Sequence, residues 1–200
     1  MNQDTTKLEI PEIYNLLSGG ILPRPIAWLS TVNEDGVQNI APYSFFNVAS
    51  VNPPILSISH IAPQPGIEKD SLANLRVIPE CVINIVDQSL CKKMNASAKA
   101  YEKHISEFIE HNIEPVKSRA VKPEGVKAAK IRYECRLKEI INLSNQVAGG
   151  QLILLDVVNI YCNDEIIKNG KLNAEKLNAI GKLGGDDYCL TQQTFSLERP

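Results

Sequence analysis

The 200-residue chain contains no uninterrupted apolar run near the ~18 residues of a membrane-spanning helix, and residues 1–6 (MNQDTT) lack the basic and apolar regions of a secretory signal. An excess of one charge sign is also lacking. Lys and Arg number 21 against 23 Asp and Glu, a formal net charge of −2, which leaves no electrostatic footprint for nucleic acid or an acidic membrane surface. Cys81, Cys91, Cys135, Cys162 and Cys189 include no CxxC pair. Their odd count and wide spacing argue against a disulfide framework and a zinc site, and read as packed, reduced thiols in a cytoplasmic protein. There is no GxGxxG, Walker loop, GxSxG or HExxH, so nucleotide-fold, hydrolase and zincin chemistry lose their usual signatures.

Histidine is limited to three residues. His104, Glu107 and His111 (HISEFIEH) have the spacing to share one helix face, a way to build a metal site. No cluster elsewhere supplies further ligands, so they read as a solvated face carrying i,i+3 and i,i+4 polar pairs. His60, at the end of a strand, reads as a satisfied edge residue.

A composition of 44% hydrophobic and 22% charged residues is that of a globular chain. With no repeat, linker or low-complexity tract, residues 1–200 are expected to form a single domain. A helix is predicted over 9–17, stopped by Ser18-Gly19-Gly20. Strands over 26–32 and 37–41 flank Asn33-Glu34-Asp35-Gly36, a hairpin signal. Further strands are predicted over 55–60, after Asn52-Pro53-Pro54, and over 81–86 (CVINIV). One helix begins at 69–71, capped by Asp70 or Ser71, and another spans 89–100, capped by Ser89. Residues 101–128, broken by Pro115 and Pro123, read as a helical excursion over the surface. Two long strands follow, over 131–142 and 151–161; the second is almost continuously apolar, as expected when both faces are covered. Cys81 and Cys135 fall within strand patterns and are expected to be buried. Strands arrive in adjacent pairs rather than alternating with helices, which favours an antiparallel barrel over a doubly wound sheet.

Chemistry concentrates between Arg24 and Asn74. RPIAWLST, APYSFFN, NPP and KDSLAN bring hydroxyls, amides, aromatics and a cation at a helix start within 51 residues. Aromatics beside Ser and Asn suit a flat heterocycle, whose faces need apolar contact and whose edges need hydrogen bonds. Lys69 and the amides of a helix N-terminus suit a phosphate. Composition and spacing thus reach a phosphorylated aromatic ligand, with packed phenylalanines and a solvated lysine as the plain alternative.

The same blocks, with MNAS, YECRL and a late GKLGGDDY, occur in an order that resembles the flavin reductase-like family of FMN-binding, flavoredoxin-type proteins, over about residues 22–188. The resemblance implies a mainly β, Greek-key split β-barrel with a few short peripheral helices. It also implies a homodimer with each FMN near the subunit interface. Trp28, Ser30 and Thr31 would line the flavin from the first strand. Tyr43, Ser44, Phe45, Phe46 and Asn47 would follow the isoalloxazine and ribityl edge. Ser50, Lys69, Asp70, Ser71 and Asn74 would surround the ribityl-phosphate end. Residues 184–188 would either reach a flavin pocket or simply turn the chain into its last strand. The implied activity is that of an NAD(P)H-dependent flavin reductase, with NADH or NADPH as transient donor and no catalytic acid or base. The alternatives are a flavoredoxin-like electron-transfer protein served by a redox partner, and a binding module for another cofactor such as haem.

Overall fold

The computed structural model describes residues 2–62, 64 and 68–198. In chain order the strands are β1 (Ala27–Val32), β2 (Gln38–Tyr43), β3 (Phe46–Val51), β4 (Pro54–Ile61), β5 (Glu80–Ile85), β6 (Pro115–Val116), β7 (Gly125–Val126), β8 (Ile131–Asn142), β9 (Gly150–Cys162), β10 (Ile167–Lys168), β11 (Lys171–Leu172), β12 (Ile180–Lys182) and β13 (Tyr188–Leu190). Seven of them form one antiparallel sheet in the order β2-β1-β5-β8-β9-β4-β3, and the short strands pair as β6–β7, β10–β11 and β12–β13.

That order dictates the architecture. β2 and β3 are the two edges of the sheet, yet only Ser44 and Phe45 separate Tyr43 from Phe46. Three extended residue steps reach about 11 Å at most, so the sheet must curl until its edges meet. The result is a split β-barrel, closed between β2 and β3 by a chain link. The Phe45 carbonyl, accepting from the Ser59 amide at 2.8 Å, ties this link to β4.

β1 is buried along its whole length because both its faces are covered. Ala27 and Leu29 enter the barrel interior with Tyr43, Ile58, Ile83, Cys81, Cys135 and Leu155. Trp28 packs outward with Ile40, Met94, Phe108 and Val126. The helix α2 (Asp70–Val77) sends Leu72 and Leu75 into the interior cluster, against β1 and β2.

Several local expectations are corrected. α1 (Ile10–Gly20) continues through Ser18-Gly19-Gly20, where the Arg24 guanidinium binds the Ser18 carbonyl. The N-cap of α2 is Lys69, with no side-chain cap; Asp70 and Ser71 lie inside the first turn. A short 3-10 turn over 88–90 leads into α3 (Cys91–Ala96), and its cap is Asp87, not Ser89: the carboxylate accepts from the Ser89 and Leu90 amides at 2.9 and 3.2 Å. Residues 101–128 carry only the one-turn helix α4 (Glu107–Glu110) and the β6–β7 ladder, because Pro115 and Pro123 prevent longer helices. A last turn, α5 (Ala174–Leu177), precedes β12. β3 is a seventh strand that the sequence pattern did not reveal; it is a largely exposed edge without apolar alternation. Among the described residues, no helix is long and apolar enough to cross a membrane.

Candidate functional site

The split between β2 and β3 gathers the chemistry. Tyr43, the last residue of β2, turns into the interior and meets the His60 ring of β4 edge-on, with centroids 6.3 Å apart. Lys69, immediately before α2, places Nζ 5.0 Å from the centroid of the Tyr43 ring. Tyr43 Oη and His60 Nε2 are both buried, and neither has a hydrogen-bond partner among the described residues. Burial pushes the Tyr43 phenol up to about 12, and the Asp70 carboxylate pushes the same way; Ser71 opposes them without reaching hydrogen-bond geometry. Burial, then the Lys69 charge, lowers His60, so its imidazole is neutral at neutral pH. Lys69 keeps much of its surface in solvent, but protein packed around the ammonium lowers its pKa as well. His60 is therefore an interior group with an idle nitrogen, not the satisfied edge residue expected from its position.

Behind this group runs a polar network that anchors α2. Ser71 Oγ donates to Asn39 Oδ1 at 3.0 Å, and Asn74 Nδ2 donates to Thr31 Oγ1 at 3.1 Å. Thr31 Oγ1 meets Asn39 Oδ1 at 3.4 Å. Asn39 Nδ2 and the Ile40 amide donate to the two Glu107 oxygens at 2.8 and 3.0 Å. Glu107 is therefore buried, not part of a solvated face, and burial raises its pKa. His104 and His111 turn to other partners, Glu102 and Tyr101.

On the other side of the link lies a cavity of about 660 Å³ between α1 and the sheet. Ser44, Phe45, Phe46 and Asn47 form one wall; Ile13, Tyr14 and Leu17 of α1 face it; Ser57, Ser59 and Ile61 of β4 complete it. Phe45 lies 6.4 Å from the Tyr14 ring and 5.8 Å from the Arg24 guanidinium carbon. A second cavity, of about 320 Å³, also reaches Tyr43 and Ser44 and is closed by Lys182, Gly185, Asp186 and Tyr188. The 184–188 segment thus both turns the chain from β12 into β13 and approaches the split. Lys182 lies over the Tyr188 ring, whose hydroxyl donates to Asn95 Oδ1 at 2.9 Å.

The structure therefore brings together two groups from the sequence reading. Tyr43, Lys69, Asp70 and Ser71 surround the start of α2, with Thr31 and Asn74 beneath, and Ser44, Phe45, Phe46 and Asn47 line the larger cavity. Ser50 stands further along β3, opposite Ile55 beside a bulge. Trp28 and Ser30 have no exposed surface. Trp28 Nε1 donates to Ser97 Oγ at 2.9 Å, and Ser30 Oγ donates to the Glu124 carbonyl at 2.6 Å. Two residues of the site escaped sequence reasoning. Arg24 stood inside a quoted motif, but nothing local signals its burial, and His60 gained its neighbours only through the β4 register.

Fold and site define a split-barrel protein with an anion-suited helix start beside a mostly apolar cavity that includes Tyr14, Phe45 and Phe46. The model of the flavin reductase like domain matches residues 19–176, and the chain belongs to this family. The chain is 32% identical to the uncharacterized protein YwrF of Bacillus subtilis over 198 residues, covering 97% of this chain and 96% of YwrF. Nitrilotriacetate monooxygenase component B from Bacillus cereus superposes with a TM-score of 0.93 at 32% identity, covering 98% of both chains. The 2-nitrobenzoate 2-nitroreductase NbaA of Pseudomonas fluorescens gives 0.90 at 28%, covering 100% of this chain and 96% of that one.

Proposed function

We propose that the protein is an FMN-dependent oxidoreductase, an NAD(P)H-dependent flavin reductase whose flavin is held at the split of the barrel. One observation carries the reading: two buried polar atoms, Tyr43 Oη and His60 Nε2, lack partners among the described residues and lie beside a lysine and a helix start. An unpaired buried polar group costs about 1–3 kcal/mol, a cost offset when a ligand supplies the missing bond. The donors present fit a phosphorylated flavin. Lys69, the first-turn amides of α2 and the Tyr43 hydroxyl all favour an anion. The Asp70 carboxylate has the wrong sign for a phosphate and suits a ribityl hydroxyl. Ser44 to Asn47 offer backbone groups and two aromatic rings to an isoalloxazine.

When bound, FMN supplies the two-electron chemistry, accepting hydride from a nicotinamide nucleotide and passing electrons to an acceptor. The chain's own residues bind and orient. The α2 network fixes Lys69 and Ser71 relative to β1 and β2, and the barrel wall shields one side of the site from water. The family membership and the oxidoreductase names of two relatives above 25% identity support the reductive reading. Five unpaired cysteines suit the reducing cytoplasm. Exposed Val48 and Val51 on the edge strand β3, with Val158 and Ile160 on β9, support a homodimer.

The test is an anaerobic absorbance spectrum of the FMN-supplemented, desalted protein, before and after NADPH and then NADH. Flavin bands that bleach within seconds are expected, and the faster nucleotide names the donor. Bands that persist with both nucleotides but bleach with dithionite replace the reductase by an electron-transfer protein fed by a redox partner. Loss of all flavin on desalting, with no binding on titration, overturns the reading.

A further inference from the structure

The interior of the barrel is layered, and its last layer is polar. The register of β4 against β9 sets Leu56 opposite Leu155, Ile58 opposite Ile153 and His60 opposite Gln151. Directly opposed residues share one face of a sheet, so Gln151 points with His60 toward the interior. The first two pairs belong to the interior apolar cluster. The third replaces hydrocarbon with an imidazole and a carboxamide.

That layer is unsatisfied. Gln151 is half-buried, yet its Oε1 is buried and has no hydrogen-bond partner among the described residues, as is true of His60 Nε2 and Tyr43 Oη. His60 and Gln151 stand side by side without bonding to each other. A core gains nothing from idle polar atoms, because each costs free energy when left unpaired. The three atoms also ask for different things. The Tyr43 hydroxyl and an imidazole N–H can donate, and with Lys69 they suit a phosphate. A carboxamide oxygen only accepts, so it needs a donor from the ligand.

We propose that Gln151 is a further binding residue of this site, accepting a hydrogen bond from a hydroxyl of the ligand and making the site selective for a phosphorylated polyol over a plain phosphate ester. The proposal rests on the flavin reading, since the ribityl chain of FMN carries such hydroxyls. It assigns to that chain a residue outside every motif that carries the family resemblance.

The test is calorimetric titration of flavin-free protein with ribitol 5-phosphate and with ethyl phosphate, which has the anion but no polyol. One hydrogen bond of ordinary net strength corresponds to about fivefold in affinity. Wild type should therefore bind ribitol 5-phosphate about fivefold or more tighter than ethyl phosphate. Gln151→Leu, which extends the apolar layer, should cut that ratio about fivefold and leave ethyl phosphate unchanged; Gln151→Ala gives the same readout where the leucine variant fails to fold. Gln151→Glu keeps an acceptor in place and should retain the ratio, although its charge weakens both phosphates alike. Equal binding of the two probes to wild type, a ratio that survives Gln151→Leu, or a ratio abolished by Gln151→Glu overturns the proposal. Failure of the flavin reading is distinguishable, because FMN then fails to bind while the two probes still report on Gln151. Conversely, FMN that binds wild type and Gln151→Leu equally well overturns the proposal and leaves the flavin reading standing.

Discussion

The Tyr43 and His60 rings meet edge to face at 69°, and each ends in a buried polar atom that no described residue satisfies. A core aromatic pair needs no such atoms. Their presence beside Lys69 supports the proposed ligand site at this end of the barrel, on which the following expectations depend.

Lys69→Glu places a negative charge where the proposed site would hold the phosphate of FMN. FMN affinity should fall by about tenfold or more, equivalent to roughly 1.4 kcal/mol. Fluorescence titration measures it, and unchanged affinity removes Lys69 from the site.

His60→Phe keeps the aromatic packing and deletes the idle nitrogen. The flavin-free protein should be as stable as the wild type or more stable by about 1 kcal/mol, while the thermal shift on adding FMN shrinks. A large loss of stability without flavin would show that His60 is already satisfied.

The same variant tests the titration. A histidine whose folded pKa lies below its ordinary 6.5 binds more protons when unfolded. Its contribution to stability is full above 6.5 and is lost as pH falls from there to the lower folded value. Glu107, raised above 4.5, acts in the opposite sense as pH rises through its own window. The difference between wild type and His60→Phe isolates the histidine: urea unfolding from pH 7 to pH 5 should be less pH-dependent in the variant.

Ser44→Trp fills the junction of both cavities at a half-buried position. The protein should fold and purify without yellow colour. Full flavin occupancy in that variant would move the isoalloxazine elsewhere.

Glu107→Ala strips the acceptor from Asn39 Nδ2 and the Ile40 amide. Each stranded donor costs about 1–3 kcal/mol, so urea denaturation should show a clear loss of stability. FMN binding should weaken with it if the network fixes α2. Normal affinity in the folded variant would confine Glu107 to a structural role.

Much of this was legible in the residues. The long strands β8 and β9 and the 33–36 hairpin follow from β-branched runs and turn chemistry. Cys81 and Cys135 are buried as expected, because they oppose one another on the central strands β5 and β8. The KDS motif was recognisable as a helix start suited to an anion. What was not legible depends on partners distant in sequence. β3 is a strand only because β4 pairs with it, and the burial of Glu107 is created by β2 packing over α4. Trp28 and Ser30, quoted for a ligand, sit on a strand covered from both sides, which no local pattern of six residues announces. Arg24 and His60 became visible only when the register set them against their neighbours.

The most direct measurement is a paired titration of the flavin-free protein with FMN and with riboflavin, which differ only in the phosphate. The account predicts FMN binding tighter by about tenfold or more, with the advantage abolished by Lys69→Glu. Equal affinities in the wild type would contradict it, because the lysine, the helix start and the two idle polar atoms would then not be a phosphate site.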